Sequence, residues 1–123
     1  MDRFKWSILA LAQHADVQQA LFPDFVPAGD ELALNFEEAL ATIDRQGMAE
    51  RQRSALDALD QKILSLSGQS NADFWLLPER LQHDDEWNAI RLLARAVAEA
   101  FSWEIETLPP AQGLYIETGS HPE

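Results

Sequence analysis

The side chains best suited to chemistry in this sequence stand together at His83-Asp84-Asp85-Glu86, an imidazole and three carboxylates in four consecutive residues. His83 and Glu86, three residues apart, share one face of a helix, and imidazole with carboxylate is a common donor set for a first-row metal ion. Such a site needs further ligands. No second histidine-and-carboxylate group stands elsewhere, and the paired Glu-x-x-His motifs of a di-metal bundle are missing. The same residues have a simpler use: acids at a helix start accept from free backbone N–H groups and offset the macrodipole. The cluster is read as that start, with no metal and no cofactor expected.

The other reactive side chains do not converge. His14, His83 and His121 lie in unrelated segments, and no serine is flagged beside a base. The chain has no cysteine, which excludes a thiol nucleophile, a cysteine-based zinc site and a disulfide scaffold. Glycine-rich phosphate loops are absent. Aspartate and glutamate number 21, so two can meet in a cleft and exchange protons, but the sequence singles out no pair.

Trp87, Arg91, Arg95 and Glu99 follow at four-residue steps along one ridge of a helix. Arg91 is placed to lie over the Trp87 ring and Arg95 to pair with Glu99. The ridge reads as the border between core and solvent. Its alternative use is an interaction strip, because tryptophan and arginine anchor many interfaces.

Charge narrows the function classes. The net charge is −12, and it is unevenly placed. Residues 14–47 hold seven acids and one base, residues 99–123 hold five acids and no base, and residues 48–67 balance three against three. Such a field repels nucleic acid and anionic lipid and draws in basic partners. No apolar stretch approaches the roughly 18 residues of a membrane span. The N-terminal apolar run, Ile8 to Ala12, is short and interrupted, so no signal peptide is expected and a cytoplasmic location is.

The elements that must carry these residues are helical. At 123 residues the chain fits one domain, 1–123, able to bury roughly two-thirds of its unfolded surface. Periodicity gives short helices over 4–13 and 16–22, the second capped by Asp16, then a break at Pro23, Pro27 and Gly29 anchored by Phe22 and Phe25. A third helix starts at an Asp30 cap, carries Leu32, Phe36, Ala39, Leu40 and Ile43, and ends at a left-handed Gly47. A fourth covers Met48 to Ser67 and is closed by Gly68; its stripe is Leu56, Leu59, Ile63 and Leu66. A helical turn at Pro78 to Gln82 follows the apolar patch Phe74-Trp75-Leu76-Leu77. The last helix, about 85–102, carries Trp87, Ile90, Leu93, Ala94, Val97, Ala98 and Phe101. The expectation is therefore an all-α bundle of about five helices. An irregular or extended C-terminal segment is expected to pack on it, with a loose tail over 117–123.

Leu34, Leu64 and Leu92 each stand opposite the main apolar stripe of their helix. Coverage by the short helices or the C-terminal segment is the expected explanation. The alternative is one apolar patch for a partner or a second copy, with Trp75, Trp103 and Tyr115 as companions. Glu31, Glu37 and Glu38, the three leucines, and Trp87, Arg91 and Arg95 are the candidate partner contacts. These features point to a small acidic protein-interaction module for a basic partner: an inhibitor of the immunity-protein type, or a dedicated chaperone or adaptor. A homo-oligomeric structural protein is the alternative, ahead of a carboxylate enzyme or metal protein.

Overall fold

Asp2 starts the first helix: its carboxylate accepts from the Lys5 backbone N–H at 2.8 Å. In the computed structural model, which describes residues 1–110, this helix, α1, runs Arg3–Ala12. From Ser7 onward every residue of α1 is buried, so it is an interior helix rather than an amphipathic surface one. Helix α2 spans Ala15–Ala20, and Asp16 sits inside its first turn instead of capping it.

Helix α3, Ala28–Leu40, also starts earlier than its cap residue suggested. Pro27 precedes it, and Asp30 and Glu31 lie in the first turn, where their charge complements the helix dipole. Gly29 is required there. A Cβ at this position would lie 2.8 Å from the Trp75 carbonyl oxygen and 3.0 Å from Trp87 Cζ2. The helix ends at Leu40, short of Ile43, where the Thr42 hydroxyl donates to the Ala39 carbonyl at 2.8 Å. Gly47 belongs to a 3₁₀ turn, Arg45–Gly47, and has no left-handed backbone; Asp44 caps that turn. Phe22 is buried as expected, but Phe25 is 79% exposed and anchors nothing.

Helix α4 runs Glu50–Ser65, and Gly68, at φ 121°, turns the chain after it. A 3₁₀ turn, Gln69–Asn71, leads into two short helices, α5 at Ala72–Leu76 and α6 at Pro78–His83. Helix α7 spans Asp85–Ala100, and the Asp84 carboxylate accepts from the Glu86 N–H at 2.8 Å. The described residues thus form seven α-helices and no strand; the apolar patch around Trp75 is the extra helix that periodicity could not assign. Residues 103–110 have no regular structure, with Leu108 buried against the core. Gln13 donates to the Glu106 carbonyl at 2.8 Å and Trp6 to the Pro109 carbonyl at 3.0 Å. The expectations for Leu114, Tyr115, Ile116 and the 117–123 tail fall outside the described residues.

The long helices pack α3 on α1, α1 on α7 and α7 on α4, while α5 and α6 close the end near the start of α3. At that end Trp87 stacks on Phe74 with 5.3 Å between ring centroids, and Trp75 meets Trp87 edge-on at 5.4 Å. Both indoles are satisfied: Trp87 Nε1 donates to the Phe74 carbonyl and Trp75 Nε1 to that of Leu66.

Candidate functional site

Three seams of the four-helix arrangement are tightly packed, and the fourth, between α3 and α4, is a cleft of about 350 Å³. On α3 the lining residues are Asp30, Ala33, Leu34 and Glu37, a set at three- and four-residue steps that belongs to one helical face. Ile63, Leu64 and Ser67 line it from α4, and Ala72, Trp75 and Leu76 from α5. Leu34, Leu64 and Leu76 remain 46%, 54% and 47% exposed. The short helices therefore do not cover Leu34 and Leu64 as expected; α5 brings a third exposed leucine to the same cleft. A second recess, about 280 Å³, continues from Leu76 past Leu77 to Asp24 and Pro27.

Beside the cleft, Glu37 meets Asp60 of α4. Glu37 Oε2 and Asp60 Oδ1 are both buried and meet no other hydrogen-bond donor, a need that one proton on the pair fills. Burial pushes the Glu37 carboxyl from 4.5 up to about 7, helped by its hydrogen bond to Asp60 and the charge of Asp60, and opposed by Arg45. At neutral pH the pair is therefore held by a proton for part of the time, as two carboxylates sharing one site require. Arg45 steadies the other side, 2.7 Å from Asp57 Oδ1 and 3.8 Å from Asp60 Oδ2. This is the carboxylate pair that the sequence could not single out. Its signal was present: Glu37 follows Phe36 and precedes Leu40, and Asp60 follows Leu59 and precedes Ile63, so each acid flanks its stripe at the same position.

No match to this chain is found among family models, curated proteins or solved structures.

The other candidate residues are dispersed. Trp87 is fully buried, so it belongs to the core and not to the border or to any surface strip. Arg91 is buried as well, over the Trp87 ring at 5.8 Å from its centroid. Its head donates to Gln18 Oε1 at 3.1 Å, to Asn88 Oδ1 at 2.9 Å and to the Leu81 carbonyl. Burial, and then the charge of Arg95, lowers its pKa from the ordinary arginine value. Arg95 reaches the Ala12 carbonyl at 2.9 Å rather than Glu99. Gln18 donates to Ala10 and Leu11, so these side chains together satisfy the last carbonyls of α1. The three off-stripe leucines do not form one patch: Leu92 is 64% exposed in a shallow depression with Arg95, Trp103 and Ile105. Glu38 pairs with Arg3, and Glu31 is half-buried on α3.

His83 and Glu86 separate as well. His83 ends α6, and Glu86 pairs with Lys62 of α4. Burial raises the Asp84 carboxyl, but the Glu86 N–H and Arg80, 2.8 Å away, outweigh it and hold the group below its ordinary value. Among the described residues no three metal-ligating side chains come together, and no helix is long and apolar enough to cross a membrane.

Proposed function

We propose that this chain is an acidic protein-interaction module that holds a basic partner protein. An inhibitor of a cationic protein and a dedicated chaperone or adaptor are the roles that fit. The observation that carries this reading is the fate of the cations. Eight of the nine lysines and arginines are engaged inside the molecule. Six pair with acids, while Arg91 and Arg95 serve backbone carbonyls; Arg51 alone has no such partner among the described residues. Asp24, Asp73, Glu79, Asp85, Glu99 and Glu104 are exposed without a cation. The unpaired charge presented to solvent is thus almost purely negative, a field that speeds the arrival of a basic surface and repels nucleic acid. It also works against a homodimer, since each copy brings −12.

A pull-down on the immobilised protein at low ionic strength, eluted by a salt step, tests the reading. Recovery of a protein with a basic surface that re-forms a one-to-one complex from purified components is expected. Recovery of no basic protein even at low salt would overturn it.

A second reading is acid–base chemistry at Glu37 and Asp60, favoured by the raised Glu37 pKa beside a cleft. It requires turnover of a small molecule that Glu37→Gln abolishes without loss of fold.

A further inference from the structure

We infer that the open seam between α3 and α4, continued over α5, is the docking groove for an amphipathic helix of the partner, with leucine-like side chains on one face and lysine or arginine beside them. The inference rests on the acidic-module reading and names where and by what chemistry the partner is held. Shape is the first argument. The neighbouring seams α3–α1, α1–α7 and α7–α4 are closely packed, whereas this one opens beyond the Glu37–Asp60 contact, with Leu34, Leu64 and Leu76 exposed along it. A groove between two helices is the natural seat of a further helix, whose anchors recur at three- and four-residue steps.

Charge selects the occupant. Asp30 and Glu37 line the cleft, Asp24 lines the adjoining recess, and neither contains a lysine or arginine. A cation next to the occupant's apolar anchor would find Asp30 at the groove wall, and the field of the whole molecule adds to that attraction. A second copy of this chain fits poorly, because it carries the same acids. Residues 111–123 contain Glu117 and Glu123 and no base, so charge does not select them either. Trp75 lies in the groove wall and supplies a fluorescence signal for occupancy.

Two synthetic helical peptides test the assignment by tryptophan fluorescence and calorimetry on the full chain at low salt. One has a leucine face flanked by lysines; the other keeps the lysines and replaces each leucine by serine. Binding of the first, weakened at least tenfold by Leu64→Ser and by Leu76→Ser but unchanged by Leu92→Ser, is expected. These positions are exposed, so the variants keep the fold, which far-ultraviolet circular dichroism verifies. Equal binding of both peptides, indifferent to all three substitutions, would overturn the groove while leaving the acidic module standing. Failure of both peptides to bind would overturn both. A dimer in sedimentation that Leu64→Ser dissociates would assign the groove to a second copy instead. Displacement of the leucine–lysine peptide by a synthetic peptide of residues 111–123 would assign it to the chain's own terminus.

Discussion

Replacing Glu37 by glutamine is expected to stabilise the protein at pH 8 and to leave it unchanged near pH 4.5. In the folded chain the Glu37 carboxyl is raised from 4.5 to about 7, so the native state binds its proton more tightly than the unfolded state. The stability this supplies is complete below pH 4.5, falls as the pH rises, and is lost once the pH passes about 7. At ~1.4 kcal/mol per pH unit, the interval from 4.5 to about 7 sets an upper bound of ~3.5 kcal/mol. Glu37 is only partly buried, and solvent screening brings the expected figure to about 1–2 kcal/mol. A glutamine amide is a permanent donor to Asp60, so it imitates the protonated acid at every pH. Urea unfolding from pH 4.5 to 9 checks this, and subtracting the two curves removes every contribution common to both proteins. The two curves should converge at low pH and separate above pH 7. A variant less stable than the parent at pH 8, or offset from it equally at every pH, would refute the shared proton.

Other substitutions probe the framework that positions the groove. Trp87→Leu should cost about 2–4 kcal/mol, because a wholly buried indole stacked on Phe74 is lost along with its hydrogen bond; thermal unfolding measures this. Gly29→Ala should cost about 1–3 kcal/mol by forcing α3 away from Trp75 and Trp87, seen in chemical denaturation and in the near-ultraviolet signal of those rings. Arg91→Met removes the donor that reaches Gln18 and the Leu81 carbonyl, and a loss of about 1–3 kcal/mol in urea unfolding is expected; a gain would contradict the structural role given to that buried cation.

Helix α7 could be read directly from its sequence because its apolar residues keep the helical period from Trp87 to Ala98 and Asp84 supplies a capping carboxylate. The limits of α3 were less legible. Ile43 continues its period, but the chain leaves the helix at Leu40, since local bonds from Thr42 and Asp44 compete with the helical ladder. Periodicity also identified Leu34, Leu64 and Leu92 as off-stripe without saying what lay over them. Their exposure depends on which seams close, a matter of how helices distant in sequence pack. The same holds for Arg91. Spacing placed it over Trp87, but its burial depends on Gln18, which comes from another helix. The contribution of Leu76 was hidden because a five-residue helix is too short to show a period. Glu37 and Asp60 lie on different helices, and only a common flanking position links them in the sequence.

The central claim, that an almost unopposed negative surface draws in a basic partner, is most directly tested by stopped-flow association of the leucine–lysine peptide across ionic strengths from about 0.01 to 0.5 M, bracketing strong and weak screening. The account predicts an association rate constant that falls at least tenfold over that range while the dissociation rate changes much less. A rate constant independent of salt would contradict it.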